Sequence, residues 1–159
     1  MKKAFPYYRQ PDSKDCGPTC IRIIAKHYGK LYALQHLRNL TETVRDGSSL
    51  LGLSDAAENI GFRTLAIKID ALTLQETPLP CILHWNKKHF VVLYDVKKTK
   101  KKTTYYISDP AYGMLEYSEV EFLKHWIGNN ATNKTKEGLA LLLETTPKFS
   151  DNKSTTQDE

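Results

Sequence analysis

Three cysteines and five histidines carry most of the nucleophilic and acid–base potential of this 159-residue chain. One of them stands in a setting of its own, Gln10-Pro11-Asp12-Ser13-Lys14-Asp15-Cys16-Gly17-Pro18-Thr19-Cys20. A helix is expected to start at Cys16, because Cys20, Ile23, Ile24 and Tyr28 recur at helical spacing. Asp15 or Ser13 is placed to cap it, Pro18 suits its first turn and Gly29 its stop. A thiol at a helix N-terminus meets exposed N–H groups and the positive end of the dipole, both of which favour the thiolate. Gly17 permits another backbone or a substrate to come close. This is the setting of a cysteine nucleophile. The competing reading is a small buried hydrophobe, which is the better one for Cys20 and Cys81.

A nucleophilic thiol needs a base, and the base needs an orienting partner. His89 opens the apolar run Phe90–Tyr94, a rigid position from which a side chain can be aimed. His84 ends the preceding run and is the competitor. His27, His36 and His125 fall within helical patterns and read as structural or surface residues. Asp109, at the end of a strand pattern, is the favoured partner, with Asp95 and Asp70 behind it; Asp109-Pro110 also reads simply as a turn. Gln10, six positions before Cys16, could join the Cys16 N–H in stabilising an oxyanion. A zinc site from Cys16, Cys20 and His27, or from Cys81 and His84, has poor ligand geometry, so neither a metal nor a cofactor is expected.

The elements that must hold these groups come helices first and strands afterwards. Further helices are expected at Ala33–Leu40, from Ser48-Ser49 to Ile60, and from the capping box Ser118-Glu119-Val120-Glu121 to about Ile127. Strands are expected at Thr64–Ile69, Cys81–Trp85, Phe90–Val96, Tyr105–Ser108 and Gly138–Glu144. Asn86-Lys87-Lys88 reads as a hairpin turn. Lys97–Lys102, with five lysines in six positions, reads as a longer solvated one. This order argues for an α+β domain with helices on an antiparallel sheet. Residues 1–145 form that domain, and 146–159 read as a polar tail or linker.

Composition excludes several classes. At 40% hydrophobic and 26% charged, the chain is ordinary globular protein. An odd, low cysteine count argues against a disulfide framework and for a reducing compartment. The apolar core of a signal peptide is missing after Met1-Lys2-Lys3, and no run approaches the roughly 18 apolar residues of a membrane span. There is no Gly-rich phosphate loop of the P-loop type. The net charge of +5 is modest, and basic residues do not alternate with aromatics as nucleic-acid binding would want. Asn133-Lys134-Thr135 carries little weight as a glycosylation site without a secretory signal.

Four motifs, in order, resemble the C39 cysteine peptidases: Gln10 to Cys20; Ile82-Leu83-His84-Trp85; His89-Phe90-Val91-Val92-Leu93; and Ser108-Asp109-Pro110-Ala111-Tyr112-Gly113. Phe122 and Trp126 fit as well, and the matched positions span about residues 5–145. The resemblance implies a papain-like fold, with Cys16 as nucleophile, His89 as general base, Asp109 as its partner and Gln10 in the oxyanion hole. It implies precursors of exported peptides, of bacteriocin or signalling type, as substrates, cut after a Gly-Gly pair that ends the leader. It implies partners in the membrane and ATPase domains of an ABC exporter, with ATP used only there. The domain would then stand on the cytoplasmic side of a bacterial inner membrane. Trp85 and Tyr112 are candidates for the walls of a narrow cleft over the cysteine. Two other readings stand beside this one: a cargo-binding module that does not cut, and another papain-like Cys-His-Asp amidase or transferase.

Overall fold

A computed structural model describes residues 4–42, 49–86, 88–128 and 136–152. Met1–Lys3, Ser48, Lys87, Asn133-Lys134-Thr135 and Lys153–Glu159, which bear on the expectations above, lie outside the described residues. A 3-10 turn, Ser13–Asp15, leads into α1 (Cys16–His27), followed by α2 (Leu34–Glu42) and α3 (Leu50–Asn59). Then come β1 (Phe62–Asp70), α4 (Ala71–Gln75), β2 (Cys81–Trp85), β3 (His89–Lys98), β4 (Thr103–Asp109) and β5 (Gly113–Ser118). The chain continues as α5 (Glu119–Trp126), β6 (Glu137–Thr145) and α6 (Pro147–Asp151). The six strands form one antiparallel sheet in the order β1-β6-β2-β3-β4-β5. Among the described residues, no helix is long and apolar enough to cross a membrane.

Both faces of the sheet are covered. On one, Cys20, Ile23 and Ile24 of α1, Leu37 of α2 and Leu53 of α3 pack on Ile82, Phe90, Val92 and Leu141. On the other, Phe122 and Trp126 of α5 pack on Leu83, Trp85, Val91, Leu93, Tyr105 and Ile107. This is why β2 and β3 read as unbroken apolar runs: alternate residues point to opposite faces, and here both faces are dry. A bulge after Leu93 shifts the β3–β4 register by one residue, so that Leu93 and Val96 both serve the α5 face.

The expected helices and strands are present, with their ends displaced by one or two residues. The start of α1 differs in one respect. Asp15 occupies the N-cap position but makes no side-chain cap; its carboxylate is held by Arg38 of α2 instead. Gly17 does allow a close approach, and the neighbour is Leu53 of α3, whose Cδ2 stands 2.5 Å from where a Cβ would be. At the other end Gly29 ends the helix at a φ of 91°, open to glycine without strain. Strand β5 was not expected. Its exposed and half-buried residues alternate weakly at the sheet edge, and the turn signal before it masks its start.

Residues 146–152, expected as the beginning of a polar tail, carry α6, which one buried side chain anchors to the domain. Phe149 is 2% exposed and lies 4.5 Å, ring to ring, from Phe62. The Asn152 side chain donates to the Ile60 carbonyl at 3.0 Å, and Lys30 Nζ donates to the Ser150 carbonyl at 2.9 Å. One buried aromatic in a polar stretch leaves no periodic signal, yet it anchors α6. Truncating it leaves a cavity, so Phe149→Ala should lower unfolding free energy by about 3–5 kcal/mol. A denaturation midpoint unchanged in that variant would mean that α6 is not part of the packed domain.

Candidate active site

Cys16 is the first residue of α1 and is 7% exposed. His89 is the first residue of β3 and Asp109 the last of β4. Because β3 and β4 run antiparallel, these two ends lie side by side. Helix α1 packs across β3 and brings its N-terminus to the same end of the sheet. His89 Nε2 meets Asp109 Oδ1 at 2.6 Å, within the range of a charge-assisted bond. The same carboxylate oxygen accepts the Ala111 N–H at 2.9 Å. Asp109 is 1% exposed, so its charge has no escape to water. The His89 imidazole also interacts with the Cys16 side chain, which favours its charged form.

Burial of the His89 imidazole works against its charged form. The hydrogen bonds to Asp109 and Cys16, and the charges of both, outweigh burial and raise its pKa to about 9. The other two thiols have the opposite character. Cys20 is fully buried, and desolvation pushes it well up, with the charges of Cys16 and Asp109 adding to the effect. Burial pushes Cys81 to about 12. Neither has the imidazole that Cys16 has.

The remaining candidates have other tasks. His84 packs its ring 5.4 Å from that of Phe90, and it is His89 that the fold brings to Asp109. Asp95 accepts the Val96 N–H at the bulge, and Asp70 caps α4 through the Thr73 N–H at 2.8 Å. His27 lies 5.0 Å from Phe5, His36 stacks on Tyr32, and His125 stacks on Trp85. Trp85 is only 1% exposed and belongs to the α5 core, so it cannot wall a cleft. Tyr112, at the β4–β5 turn, is 78% exposed. Among the described residues no three His, Cys, Asp or Glu side chains gather as a metal site would need.

Gln10 is tied to this end of the sheet by its backbone. Its N–H donates to the Pro110 carbonyl at 2.9 Å, directly beside Asp109. Its side-chain Nε2 donates one hydrogen to the Asp12 carbonyl at 3.0 Å and keeps a second. Two neighbours strengthen the strap. Tyr7 OH donates to the Pro110 carbonyl at 3.3 Å, and the buried Ser108 hydroxyl donates to the Pro6 carbonyl at 3.2 Å. Sequence reading had no role for Tyr7 or for the Arg38 partner of Asp15. Both contacts join residues far apart in the chain, and no local pattern reports them. Opposite the strap, the β2–β3 turn that precedes His89 is pinned to α5. Asn86 N–H donates to the His125 carbonyl at 2.8 Å, and His125 Nδ1 meets Asn86 Oδ1 at 2.9 Å.

A protein-family model, the peptidase C39 family, matches residues 4–138. The chain is 41% identical over 125 residues to the lactococcin-G-processing and transport ATP-binding protein LagD of Lactococcus lactis subsp. lactis, covering 75% of this chain and 17% of that protein. It is 33% identical over 127 residues to the colicin V secretion/processing ATP-binding protein CvaB of Escherichia coli, covering 80% and 18% respectively. The chain thus spans about a fifth of the length of the curated relatives it matches. Among solved structures, it is similar to a double glycine motif protease from an AMS/PCAT transporter in complex with the leader peptide. That match has a TM-score of 0.74 and 30% identity, covering 89% of this chain and 91% of the other. The peptidase domain of Streptococcus ComA matches with the same TM-score and identity, over 90% and 100% of the two chains.

The raised pKa of His89 makes stability depend on pH in a defined direction. A histidine whose folded value lies near 9, above its ordinary 6.5, contributes stability that is complete below pH 6.5. That contribution fades as pH rises through 9. Asp109→Asn should therefore destabilise most at about pH 6 and progressively less towards about pH 10. Denaturant midpoints across that range measure it. A gap between the two proteins that does not narrow would mean that His89 is not held charged by Asp109.

Proposed function

The chain belongs to the peptidase C39 family and is a cysteine peptidase, and we propose that it cuts leader peptides after a Gly-Gly pair from precursors of exported peptides. The observation that carries this reading is one imidazole hydrogen-bonded to a buried carboxylate and interacting with a thiol at a helix N-terminus. In the proposed reaction His89 holds the proton of Cys16. The thiolate attacks the carbonyl carbon of the second leader glycine. The oxyanion that forms is met by the free hydrogen of Gln10 Nε2 and by the Cys16 N–H. His89 then gives its proton to the leaving amine, and the thioester remains on Cys16. Water, deprotonated by His89, attacks the thioester and releases the leader. Asp109 keeps the imidazole oriented and balances its charge throughout.

The substrate class is supported by the relatives, which are processing and transport proteins for bacteriocins, and by the solved neighbour bound to a leader peptide. A requirement for two glycines would follow from a narrow cleft over Cys16, because a Cβ at either position would collide with its walls. The relatives also support a setting in an ABC exporter, on the cytoplasmic side of a bacterial inner membrane, with the precursor as the peptidase partner. The reaction as written uses only Cys16, His89, Asp109 and Gln10. ATP would enter through the ATPase domain of such an exporter and not through this chain.

Incubation of the reduced protein with a Gly-Gly precursor and separation of the products tests the reading. Cys16→Ala should abolish turnover and keep precursor binding. Binding by the wild type with no cut would leave a cargo-binding module in its place. His89→Ala should be far more damaging than His84→Ala, and the reverse order would mean that the base is misassigned. Gln10→Ala should lower kcat by about 10²–10³, the cost of one oxyanion donor; an unchanged kcat would remove Gln10 from the oxyanion hole.

A further inference from the structure

Asp15 immediately precedes the nucleophile and is 3% exposed. An aspartate at an N-cap position ordinarily bonds the first N–H groups of the helix and takes up the field of its dipole. Those are the same groups and the same field that would stabilise a Cys16 thiolate. In this protein the Asp15 carboxylate makes no such cap. Arg38 of α2 holds it at two points, Nε on Oδ1 and Nη2 on Oδ2, both at 2.9 Å. The guanidinium is itself placed by Gln35, whose Oε1 accepts from Nη1 at 2.8 Å, and Gln35 is braced by Asn39. A planar fork gripping a carboxylate from two sides fixes its direction as well as its charge.

We propose that Arg38 is a positioning residue for the Cys16 thiolate: by turning Asp15 into a two-point ion pair, it keeps that carboxylate off the α1 N-terminus and leaves the helix end and the His89 imidazolium to Cys16. Released from Arg38, Asp15 would be an uncompensated buried anion one residue from a second developing anion, which disfavours the thiolate. It would also compete with Cys16 for the His89 charge. The charged and titratable groups around Cys16 come from five places. They are Lys14 and Asp15 of the 3-10 turn with its N-cap Asp12, Cys20 on α1, Arg38 on α2, His89 on β3, and Asp109 on β4, whose charge, with that of Arg9, acts on Tyr7. Of these, Asp15 is the anion adjacent to Cys16 in the chain, and Arg38 is the cation that holds it.

The inference rests on Cys16 being the nucleophile, and its test needs no peptide. The rate of Cys16 alkylation by iodoacetamide against pH reports the thiolate directly, since Cys20 and Cys81 are fully buried. Arg38→Met should move that profile upward by about one pH unit, and should lower kcat for a Gly-Gly precursor about tenfold with little change in KM. Adding Asp15→Asn to Arg38→Met removes both charges and should return the profile to its wild-type position. Arg38→Lys, which keeps the charge, should hold the profile near the wild type. A purely structural salt bridge would leave the profile unmoved in Arg38→Met, or leave the double variant as displaced as the single, and either result overturns the proposal. Should Arg38→Met not fold, Asp15→Asn alone decides: it strands the Arg38 charge beside Cys16 and should move the profile down, and an unmoved profile counts against the proposal. Failure of the wild type to cut a Gly-Gly precursor would sink the substrate assignment and leave the alkylation result standing.

Discussion

The bond between His89 and Asp109 sets the terms for the rest of the molecule. A carboxylate that is 1% exposed is costly unless it is paired and hydrogen-bonded. Asp109 meets that condition with two donors, the His89 imidazole at 2.6 Å and the Ala111 N–H at 2.9 Å. The pairing needs the start of β3 and the end of β4 to coincide, which the antiparallel register of the sheet supplies. It also needs both strands to be rigid. Their apolar residues are buried on two faces, by α1 to α3 on one side and α5 on the other. The catalytic geometry is therefore a property of the sheet end, and the helices hold that end in place.

Two ion pairs meet near the N-terminus of α1, and they have different functions. His89–Asp109 supplies a cation to the thiol. Asp15–Arg38 removes an anion from it. Both carboxylates are almost fully buried, at 1% and 3% exposure. A buried pair contributes little to stability compared with an apolar replacement. Its value here lies in where it puts charge. The strap formed by Pro6, Tyr7 and Gln10 adds a third tie, joining the proposed oxyanion donor to the turn that carries Asp109. The proposed nucleophile, base, orienting carboxylate and oxyanion donor thus come from four different segments, and hydrogen bonds that cross the chain tie His89 to Asp109 and Gln10 to Pro110 beside it.

Helices α1, α2, α3 and α5 and most strands were legible because their causes are local, whereas the short α4 was not expected. Spacing of Cys20, Ile23 and Ile24 marks α1, and the Ser118 capping box marks α5, where the Ser118 hydroxyl accepts the Glu121 N–H. Strand β5 and helix α6 were not legible. An edge strand with half-buried residues carries little pattern. A five-residue helix held by one buried phenylalanine carries none. Trp85 was misplaced for a related reason: an aromatic beside a candidate histidine looks like a cleft wall until the second layer of helix over the sheet is known.

By itself the sequence determined which residues had the chemistry: a cysteine at a helix start, a histidine at a strand start, an aspartate at a strand end, and a glutamine upstream. Residue type and local setting decide reactivity in principle, and these are readable one segment at a time. What only the tertiary structure decided is which of them meet. It brought Asp109 rather than Asp70 or Asp95 to His89, gave Asp15 to Arg38 instead of to the helix cap, and tied Gln10 to Pro110. These choices depend on strand register and on the packing of α1 and α2, and both are settled by burial of apolar surface across the whole domain. Charge then follows geometry: the same histidine is ordinary in an isolated strand, and its pKa reaches about 9 only between a buried carboxylate and a thiol.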